Sequence, residues 1–341
     1  MSISDRSLEI IVPCYNEAEC VPVLFEHVKR VLDGVENLRW SVVYINDGSR
    51  DRTLQEIEKL EGVYGKEQIK YVSFSRNFGK EAAIYAGLSY SKADYIALMD
   101  ADLQHPPELL PKMISALDEG FDCCGARRVD RKGEPVVRSA LSRLFYNTIN
   151  RLTTMHLVQG GSDFRMMKRP VAEAMLALEE RERFTKGILS WVGFSTKWIE
   201  YENVPRAAGT TKWSIRGLMR YAVNGFFAFA TTPLRAAVWL GILIDTVTLI
   251  GAIWFIATTL RSDGPRTGFG TLVILIAFFG GTIIMILGVI GEYLARIYLE
   301  VKKRPLFIVK ETNIEHRENR KLGTAAEASS KLAGEHAENT V

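Results

Sequence analysis

Two apolar stretches near the C-terminus, Ala236–Leu260 and Phe269–Gly291, constrain this chain more than any other feature. Each exceeds the roughly 20 residues that a helix needs to cross a hydrocarbon core. The second carries no charge, and the first carries only Asp245. One carboxylate at the bilayer centre costs roughly 2.5–3.5 kcal/mol, which the surrounding apolar residues outweigh. The pair therefore predicts a hairpin of two transmembrane helices, 236–260 and 269–291, with Asp245 facing another helix or subunit. The short link between them holds Arg261, Asp263 and Arg266. The outer flanks hold Arg216, Arg220 and Arg235 on one side and Arg296, Lys302, Lys303 and Arg304 on the other. Basic flanks stay inside, so both termini are expected in the cytoplasm of a multi-pass protein of the cell membrane. The first apolar run of the chain is too short for a signal peptide.

Ahead of the hairpin the pattern changes. Leu8–Pro13, Trp40–Asn46, Lys70–Ser75, Asp94–Met99 and Phe121–Gly125 are short runs rich in Val, Ile and Tyr. Several are apolar at nearly every position, as strands buried on both faces of a parallel sheet are. Helical stretches lie between them; in Glu19–Leu32, Val23, Leu24, His27, Val28, Val31 and Leu32 share one face. Alternating strands and helices predict an α/β fold with a mostly parallel, Rossmann-like sheet covered on both sides. Such sheets bind ligands at the C-terminal ends of their strands.

From about Val129 to Pro233 the periodicity is less regular. Leu141, Leu144, Phe145, Ile149, Leu152 and Met155 recur at helical spacing, and helix 138–156 suits either the core or a membrane interface. Ile215, Leu218, Met219, Ala222, Val223, Phe226 and Phe227 form a clearer stripe, with Arg216, Arg220 and Asn224 opposite. A basic face opposite Phe and Leu fits a helix lying on a bilayer surface, over 214–233. Residues 1–213 then form the cytoplasmic domain, and 292–341 form a C-terminal segment expected to be disordered after about 310. The net charge of +3 gives no reason to expect nucleic acid as a partner. Cys14, Cys20, Cys123 and Cys124 lack metal-site spacing and read as reduced, with Cys123 and Cys124 as small buried hydrophobes.

Polar clusters close three of the strands. Asp100-Ala101-Asp102 ends the fourth run, with Gln104 two residues on. Adjacent carboxylates there repel unless a cation joins them. Mg²⁺ or Mn²⁺ takes such oxygens and keeps substrate phosphates as further ligands. Pro13-Cys14-Tyr15-Asn16-Glu17 follows the first run and Asn46-Asp47-Gly48-Ser49 the second. Tyr15 can stack a base and Asp47 can accept from one. Asp47-Gly48-Ser49 alone would pass for a turn; the three clusters together predict a composite nucleotide site. No Gly-x-Gly-x-x-Gly follows any strand, and no P-loop is present, which counts against dinucleotide oxidoreductases and P-loop NTPases.

With Arg76-Asn77-Phe78-Gly79-Lys80, these motifs resemble the family 2 glycosyltransferases of the GT-A fold. Within that family the chain is similar to polyprenyl-phosphate glycosyltransferases, and Glu182-Arg183-Phe184-Thr185-Lys186-Gly187 looks closest to the bactoprenol branch. The resemblance runs from about residue 8 to 310. It implies that Asp100, Asp102 and Gln104 hold a metal ion and the diphosphate of a nucleotide sugar. Pro13, Tyr15, Glu17, Ile45 and Asp47 would hold the nucleoside, with Lys80, Ala101 and Arg127 also at the donor. Asp163, in Ser162-Asp163-Phe164-Arg165, matches the carboxylate that faces the reacting sugar, and Arg206 and Lys212 match a basic pair that meets phosphates.

The expected reaction is inverting transfer of a hexose, glucose by resemblance, from a UDP-sugar to a polyprenyl phosphate. A phosphate acceptor is already anionic, so the need for a general base is weak. Asp163 then orients a reactant and stabilises positive charge, with a base as its second role. N-acetylglucosamine is the next candidate sugar. A processive polysaccharide synthase would carry Gln-x-x-Arg-Trp and more spans, both missing from this sequence. A non-catalytic membrane scaffold would have no need of Asp100, Asp102 and Asp163. The glycines Gly280, Gly281, Gly288 and Gly291 suit helix–helix packing in a homo-oligomer.

Overall fold

The computed structural model describes residues 6–129, 158–181, 183–202, 232–259 and 268–315. Contacts divide the chain into two units. The first holds the described residues up to 202 together with those from Arg304 onward, and the second holds two long helices.

The first unit is built on one eight-stranded sheet. In chain order its strands are β1 (Arg6–Cys14), β2 (Leu38–Asn46), β3 (Ile69–Phe74), β4 (Tyr95–Leu98), β5 (Cys123–Arg128), β6 (Gly161–Lys168), β7 (Thr196–Tyr201) and β8 (Val309–Thr312). Their order across the sheet is β7-β5-β6-β4-β1-β2-β3-β8. The centre, β3-β2-β1-β4, is parallel throughout. That arrangement buries β1 between two neighbours, and Leu8, Ile10, Ile11 and Val12 are almost fully inaccessible. The sheet is mixed at its flanks: β6 runs antiparallel to both β4 and β5, and β8 antiparallel to β3.

Helices α1 (Cys20–Leu32), α2 (Thr53–Tyr64), α3 (Lys80–Tyr90), α4 (Leu110–Asp118), α5 (Arg169–Ala177) and α6 (Thr185–Trp191) accompany the sheet. The five apolar runs match β1–β5 to within two or three residues. The buried face of α1 is Cys20, Val21, Leu24, Phe25, Val28 and Leu32, so it is rotated from the expected stripe. Val23 is 42% exposed because Phe25, packed on Trp40 and Tyr64, takes the core side. Gly87 of α3 lies against β1, where an added Cβ would sit 2.2 Å from Ile11 Cγ2. The four cysteines are free and buried.

Residues 311–315, expected to be disordered, are ordered instead. β8 pairs with β3, Asn313 accepts from the Tyr71 N–H and donates to Ile69 O, and Thr312 Oγ1 donates to Tyr71 O. The exposed edge of β3 supplies the unpaired backbone groups that order this polar segment.

The second unit holds α7 (Thr232–Thr259) and α8 (Phe269–Val301). Among the described residues one helix, over Phe278–Val301, is long and apolar enough to cross a membrane; the apolar stretch described in α7, Trp239–Gly251, is shorter. The helix of the second apolar segment thus runs past Gly291 to Val301. Its large side chains are exposed, Ile284 at 72% and Leu294 at 62%. The Asp245 side chain, the stripes at 141–155 and 215–229, and residues 316–341 lie outside what is described.

Candidate active site

The sheet changes direction of winding between β1 and β4, since β2 and β3 follow on one side of β1 and β4 lies on the other. Ligands of open α/β sheets bind at the carboxyl ends beside such a switch. The register aligns Cys14 with Asn46, and Met99 N–H donates to Ile11 O. The three motif-bearing turns after β1, β2 and β4 therefore emerge at one edge.

The first two turns are stitched together. Asn16, at φ 55°, donates its N–H to Ser49 Oγ at 3.0 Å and accepts from Arg50 N–H at 2.8 Å. Glu17 N–H donates to Thr53 Oγ1 at 2.8 Å. The loop after β3 is tied in by Asp47, which accepts from Phe78 N–H at 2.6 Å and Gly79 N–H at 2.9 Å. Gly48 (φ 63°) permits this close approach, because a Cβ would fall 2.3 Å from the Arg76 carbonyl carbon. Burial raises the Asp47 pKa, and the two backbone donors only partly offset it. Each of its oxygens keeps a second lone pair for a ligand.

Three charged residues meet beyond this turn. Lys80 opens α3, and its Nζ lies 2.6 Å from Asp100 Oδ1 and 2.6 Å from Asp163 Oδ2. Asp163 on β6 reaches this point because β6 pairs with β4, aligning Arg165 with Leu98. Lys186 on α6 approaches the other Asp163 oxygen at 3.4 Å and donates to Gly161 O at 3.1 Å. Burial alone would raise the Asp163 pKa, but the Lys186 and Lys80 ammonium groups hold it well below the usual carboxylate range. The same two carboxylates outweigh burial at Lys80 and raise its pKa. His105 is stacked 5.4 Å from Phe164, its buried Nδ1 has no hydrogen-bond partner among the described residues, and burial lowers its pKa.

Not every expected residue joins this cluster. Ile45 is fully buried in β2, so its side chain offers a ligand no surface; a central strand turns it into the core. Ala101 is 3% exposed. Arg127, on β5, lies 3.8 Å from Glu200. Pro13, the last residue but one of β1, pairs with Ile45, and Tyr15 and Glu17 follow the strand exit. Arg206 and Lys212 lie outside the described residues. Lys186 was legible only as part of a family-like motif, and Glu81, Thr185 and His105 carried no separate signal.

Among the described residues, no three His, Cys, Asp or Glu side chains converge as a ready metal cage. The donor set at Asp100, Asp102 and Gln104 is instead two carboxylates and an amide oxygen. All are hard oxygen ligands, which suits an ion that shares its coordination with a diphosphate.

A family model described as glycosyl transferase family 2 matches residues 9–176. The putative glycosyltransferase CsbB of Bacillus subtilis (strain 168) is 41% identical over 91% of this chain and 93% of its own length. The chain belongs to glycosyl transferase family 2. The bactoprenol glucosyl transferase of Shigella phage SfII is 36% identical, over 92% of this chain and 99% of that protein. An uncharacterized glycosyltransferase of Synechocystis sp. (strain ATCC 27184 / PCC 6803 / Kazusa), sll0501, is 38% identical over 89% and 95%. This chain is thus a glycosyltransferase matched to its relatives across both the sheet and the helices that follow it. The family model's own match ends within α5 and takes in the β1, β2 and β4 turns as well as Lys80 and Asp163.

Proposed function

We propose that this family 2 enzyme transfers a hexose, with glucose the leading candidate, from a UDP-sugar to a polyprenyl phosphate at the cytoplasmic face of the cell membrane. The observation that carries the reading is the Asp100–Lys80–Asp163 cluster at the switch-point edge, in a chain 36% identical to a bactoprenol glucosyl transferase over nearly all of that protein. The apolar helix α8 supports a lipid acceptor, since it would hold the enzyme where a polyprenyl chain resides. In this reading α7 and α8 form the two-span hairpin, with both termini cytoplasmic.

Tyr15 stacks the uracil and Asp47 accepts its N–H, while Asp100, Asp102 and Gln104 face the diphosphate. A divalent cation held there would supply Lewis-acid stabilisation of the leaving diphosphate. An acceptor phosphate oxygen forms its bond to the anomeric carbon as the bond to the UDP oxygen breaks, which inverts that centre. The acceptor is already ionised, so Asp163 has no proton to take. Held as a carboxylate, it stabilises positive charge at the anomeric carbon. Lys80 offsets the charge of the donor phosphates. Arg206 and Lys212 offset the repulsion between the two anions, with Arg as a bidentate fork and Lys as a point charge.

The test incubates membranes containing the protein with radiolabelled UDP-glucose, undecaprenyl phosphate and Mg²⁺, and counts label in the organic phase. Label lost with EDTA supports the reading. Label only with UDP-N-acetylglucosamine changes the sugar, and no label with any donor overturns the lipid acceptor.

A further inference from the structure

Two lysines reach Asp163 from different helices, and the residues beside them in sequence join those helices. Glu81, next to Lys80, accepts from the Thr185 N–H at 3.0 Å and from the Thr185 hydroxyl. Thr185, next to Lys186, is 4% exposed. Two dipeptides, Lys80-Glu81 and Thr185-Lys186, thus form one closed unit around a single carboxylate. Each places an ammonium on Asp163, and each contributes one half of the bond between α3 and α6.

Lys80 and Lys186 are not equivalent within it. Lys80 divides its charge between Asp100 and Asp163, at 2.6 Å each. Among the described residues Lys186 pairs with no carboxylate except Asp163, and its remaining hydrogen bond goes to Gly161, two residues earlier on the same strand. Lys186 therefore grips β6 at two points. Lys80 sits at the donor edge, where substrate phosphates compete for its ammonium, and Lys186 keeps hold of Asp163 when they do. A lysine stem is long and flexible, so a fixed stem matters for such a grip.

We propose that Lys186 is a positioning residue for Asp163, and that the Glu81–Thr185 clamp fixes the stem of Lys186. The proposal rests on the glycosyl transfer proposed above. It predicts that loss of Lys186 impairs the chemical step and leaves donor binding intact.

Steady-state kinetics on full-length protein in membranes, with UDP-glucose and undecaprenyl phosphate, provide the test. UDP release is followed both with and without the lipid, alongside thermal melting. Lys186→Ala is expected to lower kcat by about 100-fold, the scale of a misplaced reacting group, with the KM for UDP-glucose little changed. Lys186→Arg is expected to recover part of that loss. Glu81→Ala should lower kcat less, and adding it to Lys186→Ala should cost nothing further, since both act through one contact. Glu81→Gln keeps an acceptor oxygen for Thr185 and should stay near wild type. A raised KM at unchanged kcat would make Lys186 a donor-binding group and overturn the proposal. So would wild-type kinetics in Lys186→Ala, or equal loss in Ala and Arg variants with lowered melting. Wild-type UDP release that the lipid does not stimulate would overturn the acceptor and still test the clamp through kcat for that release. No UDP release from any donor would overturn both.

Discussion

Phe307 stacks on Phe74, with ring centroids 5.0 Å apart and planes 17° from parallel. Phe307 follows α8 in the chain and is 3% exposed, while Phe74 ends β3. Ser75 N–H donates to Ile308 O beside this contact, and β8 completes the edge of the sheet. The segment that follows the long apolar helix thus becomes part of the first unit's packed interior.

Phe307→Ala removes that stack and leaves a cavity against Phe74 and Tyr85. Truncating a buried Phe costs about 3–5 kcal/mol. Thermal melting in detergent should show the loss, and an unchanged transition would mean that the strand is dispensable for stability.

Gly48→Ala should weaken donor binding without touching a catalytic group. The residue sits at φ 63°, and its Cβ would meet the backbone of Arg76 and Asn77 at 2.3–2.7 Å. The loop must move, taking the Phe78 and Gly79 donors off Asp47. Strain of this kind costs roughly 1–3 kcal/mol, and UDP affinity measured by calorimetry should fall about tenfold or more.

Glu81 gives a pH signature. Burial raises its pKa, Asp163 adds to the rise, and the bonds from Thr185 only partly oppose it. The folded state therefore binds the proton more tightly than the unfolded chain. Its contribution is fully present below the unfolded pKa of about 4.3 and is lost as pH rises through the raised folded value. Glu81→Gln cannot ionise, so melting temperature against pH should be flatter in the variant just above pH 4.3. Parallel curves would show that Glu81 titrates normally.

Asp102→Ala should abolish metal-dependent turnover while leaving the fold intact. Asp102 lies in the turn after β4, and its carboxylate accepts from Gln104 N–H at 3.2 Å. Activity should drop by roughly two orders of magnitude or more, as when one charge-stabilising contact is removed. In wild type, EDTA should give the same loss and added Mn²⁺ or Mg²⁺ should reverse it. EDTA-resistant turnover would show that the two carboxylates serve another purpose.

Much of this architecture was legible because burial on both faces leaves a direct trace in sequence. β1 to β5 are apolar runs, and the Asp100, Asp47 and Tyr15 motifs directly follow three of them. β6 was not legible: Gly161–Lys168 mixes Ser162, Asp163, Arg165 and Lys168 with apolar residues, because one end carries the site. β8 was also hidden, since Val309–Thr312 is polar and owes its order to the free edge of β3. The rotated face of α1 was missed because Phe25 outcompetes Val23 for contact with Trp40 and Tyr64.

The sequence by itself determined the α/β class, the family, the strand-end motifs and the apolar helices, because each depends on residues close together in the chain. Only the tertiary structure decided that Lys80, Asp100, Asp163 and Lys186 share one cluster, and that Glu81 is bound to Thr185. Glu81 and Thr185 are 104 positions apart, and no local spacing relates these partners. The pairing of β6 with β4 and the Glu81–Thr185 bonds between α3 and α6 bring them together, so the electrostatics of Asp163 belong to the fold as a whole.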